Sequence, residues 1–78
     1  MFIVIELQTN GTQTANIVTA HATQNEAEAK YHTVLAAAAV SSVEIHAAVI
    51  LSEEGFPLRN ECYKHNVNPA EELEGGED

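Results

Sequence analysis

Phe2, Ile3, Val4, Ile5 and Leu7, interrupted only by Glu6, form an apolar run that is too short and too β-branched for a helix, and predict a strand over residues 2–8. Thr9, Asn10, Gly11 and Thr12 then supply a hairpin turn, because Asn and Gly tolerate positive φ. Residues 13–20 return as a second strand. Two registers compete. A two-residue Asn10-Gly11 loop pairs Ile5 with Asn16 and Ile3 with Val18. A three-residue loop with Gly11 in a bulge pairs Ile5 with Ala15 and Ile3 with Ile17. The second keeps one face apolar and is the expected one.

The period then changes. Thr23-Gln24-Asn25-Glu26 matches the capping box, in which the Thr hydroxyl and the Glu carboxylate satisfy free amides of a first helical turn. Ala27, Tyr31, Val34, Leu35 and Ala38 follow at helical spacing and form one stripe, which predicts a helix over residues 24–40. Glu26 and Lys30 add an i,i+4 pair. Ala36, Ala37, Ala38 and Ala39 surround the last turns with small side chains and allow a close approach from more than one side.

Residues 43–51 alternate strictly, Val43, Ile45, Ala47, Val49 and Leu51 on one side against Glu44, His46, Ala48 and Ile50 on the other, and predict a strand whose first set faces the core. Ser52-Glu53-Glu54-Gly55 is a turn, Pro57 is tolerated beside it, and residues 58–65 form a polar last strand. The fold class expected is α+β: order β-β-α-β-β, one four-stranded antiparallel sheet in spatial order 2-1-3-4, and the helix packed on one face. The most apolar strands are then central and the polar ones are at the edges.

One helix covers one face. With the register above, the other face carries Phe2, Val4, Val18, Ala48 and Ile50, mixed with Glu6, Asn16, Glu44 and His46, and is too apolar for free solvation. Phe2, Val4, Val18, Ala48 and Ile50 are therefore the candidate interface, with Ala36 and Ala39 at the helix end as a second contact.

Length sharpens this expectation. A chain of 78 residues with twelve Ala and four aromatic residues forms one small domain, expected over residues 1–65. Such a domain draws only about 3–5 kcal/mol from its core, so self-association is a natural supplement. Burial across a two-fold axis predicts a homodimer. The single Cys62 excludes an internal disulfide scaffold and points to a cytoplasmic setting. The first residues lack a basic stretch and so do not resemble a signal peptide. The longest apolar run, Val34 to Val40, is far short of a membrane span of roughly 20 residues.

The net charge is -9, from 12 acidic and 3 basic residues. Five acids, Glu71, Glu72, Glu74, Glu77 and Asp78, crowd residues 66–78, which read as a disordered acidic tail. Lys30, Arg59 and Lys64 are too few and too scattered to displace counterions from a phosphate backbone or bind an anionic membrane, so neither partner is expected.

The chemistry-bearing residues are dispersed. His21, His32, His46 and His65 have no metal-ligand spacing, and no metal or cofactor is expected. Cys62 is expected as a buried or half-buried inert strand thiol, although His46 or His65 could serve it as a base. Glu53 and Glu54 are solvated turn acids. Phosphate-binding glycine loops, nucleophile elbows and C-x2-C pairs are all absent from the sequence, and an enzyme is not expected.

The helix from Glu26 to Ser41, together with His46, the turn Ser52-Glu53-Glu54-Gly55 and the ending Asn60-Glu61-Cys62-Tyr63, resembles small uncharacterised proteins of phages and prophages of gut Firmicutes. The resemblance covers about residues 1–65 and implies a mobile-element setting, in the host cytoplasm or associated with the virion, with no catalytic residues to carry over. The function expected is a non-catalytic interaction module that binds itself and an unidentified protein partner. The alternative is an acidic nucleic-acid mimic that inhibits a host defence nuclease, of the anti-restriction or anti-CRISPR type. It is disfavoured because the acidic tail holds so much of the charge.

Overall fold

The computed structural model describes residues 1–65. The elements run β1 (Phe2–Asn10), β2 (Gln13–His21), α1 (Gln24–Ala39), β3 (Ile45–Ser52) and β4 (Pro57–Lys64). One antiparallel sheet has the order β2-β1-β3-β4. The α+β class and the strand order are those expected from the sequence. The acidic tail lies outside the described residues.

Local chemistry starts the helix. The Thr23 hydroxyl accepts the Glu26 amide at 3.2 Å, which satisfies one free N–H of the first turn. The stripe behaves as its spacing dictates: Ala27, Tyr31, Val34 and Ala38 are buried, with Leu35 packed beside them. The helix ends at Ala39, one residue earlier than expected, and the Val40 amide closes back on the carbonyls of Ala37 and Ala38.

The hairpin register differs from both expectations. Ile5 faces Val18, Ile3 faces Ala20, and Asn10 faces Gln13, so the loop is the two-residue turn Gly11-Thr12. Gly11 alone takes a positive φ, 61°, as a type II′ turn requires at its first central position. Asn10 stays in the strand because its side chain is occupied elsewhere. Asn10 Oδ1 accepts the Glu44 amide at 2.9 Å, and the Gly11 amide donates to Glu44 Oε1 at 2.8 Å. The turn is thus clasped to the segment that leads into β3. Relative to the bulged loop, this register transfers Val18 to the side of Ile3 and Ile5, and Ile17 to the side of Phe2 and Val4.

The helix also covers the opposite face from the one expected. It packs chiefly on β3 and β1, and the core consists of Val4, Ala48 and Ile50 beneath Ala27, Tyr31 and Val34, with Phe2 at the margin. Ile3, Ile5, Leu7, Ile45, Ala47, Val49 and Leu51 face the other way. The two sides of β3 alternate in either case, so alternation cannot choose between them. The hand of the β2-α1-β3 crossover, combined with the pleat, makes the choice. The small Ala48 lets the helix approach closely, and the polar residues that share its side find partners.

Candidate functional site

Two features stand out: a polar cluster beneath the helix and an open apolar sheet face. In the cluster, His46 is only 3% exposed. Its Nε2 lies 2.6 Å from Glu6 Oε2, its Nδ1 lies 3.1 Å from the Ser41 hydroxyl, and Gln8 Nε2 donates to the same Glu6 oxygen at 2.9 Å. Burial pushes the Glu6 carboxyl up, but the hydrogen bonds from His46 and Gln8 and the nearby charges of His46 and Lys30 outweigh it, so its pKa lies below the ordinary value. Hydroxyl, imidazole and carboxylate in series resemble a nucleophilic triad in order. Here the Ser41 oxygen also accepts the Val43 amide at 2.9 Å, and the imidazole is enclosed with both nitrogens engaged. The cluster therefore ties the loop after α1 to β1 and β3, leaving no buried side-chain polar atom unpaired among the described residues.

A second network ties the helix to the edge strand. The Tyr31 hydroxyl donates to Glu61 at 2.9 Å, and Arg59 lies 5.2 Å over the Tyr31 ring while donating to Glu28 at 2.7 Å. Burial, with the Glu61 carboxylate as hydrogen-bond acceptor and as a charge, pushes the Tyr31 phenol up to about 12, against a smaller opposing effect of Arg59. The unfolded phenol ionises near 10, so the contribution of neutral Tyr31 to stability is complete below that pH and is lost as pH rises towards 12. Tyrosinate absorbance in a Tyr63→Phe background should show the remaining phenol titrating at about 12, and Glu61→Gln should lower that midpoint.

The open face carries Ile3, Ile5 and Leu7 from β1, Val18 and Ala20 from β2, Ala47, Val49 and Leu51 from β3, and Cys62 opposite Ala47 on β4. Leu7 is 39% exposed and Val18 57%, and none of the described elements lies over them. Among the described residues, no carboxylate carried by the four strands stands on this side. Glu6 and Glu61 point to the helix side, Glu26 and Glu28 are on the helix, Glu44 caps the hairpin turn, and Glu53 and Glu54 lie in the β3–β4 turn. Lys64, opposite Ile45, is a charged side chain at its rim.

The candidate interface residues divide accordingly. Val18 is on the open face. Val4, Ala48 and Ile50 are in the core under the helix with Phe2 beside them, and cannot meet a partner in the folded chain. Ala36 and Ala39 are exposed on the outer side of α1. Ile3, Ile5, Val49 and Leu51, on the side expected to face the core, are instead on the open face, together with Leu7. The signal that could have found them is charge: every ionisable residue of β1 and β3 falls on the other side.

The histidines do not gather. His21 hydrogen-bonds Thr19, His32 sits near Glu28 on the helix surface, and His65 meets the Ala38 carbonyl at 2.6 Å. Cys62 is exposed rather than buried or half-buried, and it lies on the face opposite His46 and opposite the helix that His65 meets, so neither expected pairing of thiol and base forms. Among the described residues no three His, Cys, Asp or Glu side chains converge as a metal site, and no helix is long and apolar enough to cross a membrane. An open depression at the hairpin end is lined by Gln8, Asn10, Gln13, Thr14 and Ala15, none of them ionisable. Compared with known proteins, the chain matches no family model, no curated protein and no solved structure.

Proposed function

We propose that the chain is a non-catalytic protein-interaction module that works as a homo-oligomer, two copies packing through their open sheet faces. The setting proposed for it, from the sequence resemblance, is that of a phage or prophage accessory or virion-associated protein. The observation that carries the reading is an apolar sheet face on which, among the described residues, the strands place no carboxylate, in a chain of net charge -9. Two such chains repel one another through their acids, and the open face is where the strands of two copies can meet without opposing carboxylates of their own. Four strands of eight or nine residues outline roughly 500 Å² per copy at about 3.3 Å per residue and about 4.8 Å between strands. The pair then buries about 1,000 Å², the lower bound of a specific interface.

Cys62 lies on this face and reports on it. At micromolar concentration, light scattering should give a mass above one chain, and maleimide labelling of Cys62 should be slow. In Leu7→Glu the mass should fall and labelling should speed up at least several-fold. A single-chain mass in the parent protein, with equal labelling rates in both, would overturn the reading.

A further inference from the structure

The two edges of the sheet are unlike. β4 opens with Pro57, carries Arg59, Glu61 and Lys64, and faces a register shift at Ile50/Leu51, all devices that keep another strand away. β2 has none of them. Its nine residues, Gln13 to His21, include no Pro, Lys, Arg, Asp or Glu, and Ile17 and Val18 are 50% and 57% exposed on its two sides. An unguarded edge of this length is a template for a further strand.

Its hydrogen-bonding pattern is also self-complementary. The Gly11-Thr12 turn is closed by the pair Asn10 and Gln13, which a β-turn hydrogen-bonds. Alternation along an antiparallel ladder then turns the N–H and C=O groups of Thr14, Asn16, Val18 and Ala20 outward, away from β1. These four positions are symmetric about Ile17, the middle residue of the strand.

We propose that β2 of one copy pairs antiparallel with β2 of a second copy about a two-fold axis at Ile17, joining two four-stranded sheets into one. Thr14 then faces Ala20 and Asn16 faces Val18 as hydrogen-bonded pairs, and the two Ile17 side chains meet on the helix side, where α1 covers β2 least. A second copy is the occupant because the strand carries no Asp, Glu, Lys or Arg and matches itself about its middle residue, so a chain of the same charge can lie along it. This axis is normal to the sheet, so the open faces of the two copies become one continuous apolar surface. Where the face-to-face packing proposed above also holds, the two kinds of axis are perpendicular and the assembly closes as a dihedral tetramer.

Native mass spectrometry and light scattering on the full chain separate the two contacts. The expected result is four chains in the parent protein, two in Ile17→Lys, two in Leu7→Glu and one in the double variant. Asn16→Pro removes an outward N–H without touching the β1 ladder and should behave as Ile17→Lys does. Circular dichroism checks that each variant folds. A parent dimer that Leu7→Glu dissociates and Ile17→Lys leaves intact would overturn the edge pairing and uphold the face. A parent dimer with the reverse response would uphold the edge and overturn the face. A parent monomer would overturn both.

Discussion

Val4→Glu should abolish folding, whereas Ile5→Glu, one residue along, should fold and lose self-association. Val4 is 1% exposed and packed against Ala48, Ile50 and the helix, in an apolar cluster that would strand a new carboxylate away from water. Burying an unpaired charge costs several kcal/mol. That matches the roughly 3–5 kcal/mol a domain of this size has in all. Ile5 points to the open face, where a carboxylate remains hydrated in the single chain and becomes intolerable only against a second copy. The measurement is far-UV circular dichroism at room temperature beside the mass in solution. A folded Val4→Glu together with an unfolded Ile5→Glu would mean that the helix covers the other side of the sheet.

The second large effect is expected at the buried cluster. His46→Ala removes the partner of Glu6 and of the Ser41 hydroxyl and leaves a carboxylate with 15% exposure and only Gln8 to bond it. Breaking a buried pair from one side costs about 3 kcal/mol, enough to leave much of the protein unfolded. Replacing both partners, as in Glu6→Leu with His46→Leu, should restore much of the loss, because nothing ionisable is then stranded. The Glu6 carboxyl lies below its unfolded value of 4.5, so its contribution is complete above that pH and disappears as pH falls through the folded pKa. Glu53, held low by the N-terminal ammonium, acts in the same acid window, so thermal melts belong in a Glu53→Gln background. There Glu6→Gln should melt lower than its parent near neutrality and lose less on acidification. Equal acid sensitivity in the two would show that Glu6 is not the group responsible.

What the sequence determined by itself was local or periodic. The Thr23 cap and the stripe through Ala27, Tyr31, Val34 and Ala38 link residues three or four apart along one helix, so each residue's neighbours in sequence are its neighbours in space. The strand order followed from which strands are apolar and from the connections between them. Three matters depended on distant partners. The turn is Gly11-Thr12 because the Asn10 side chain holds the Glu44 amide and the Glu44 side chain holds the Gly11 amide, across a long stretch of chain. Glu6 and His46 could enter the core side only as a pair brought together across adjacent strands, so each alone reads as a surface residue. The face given to the helix was open in the sequence, since strict alternation offers two sides without ranking them. Only the crossover, acting on the assembled sheet, put Val4, Ala48 and Ile50 inside and left Ile5, Leu7 and Val49 facing outward.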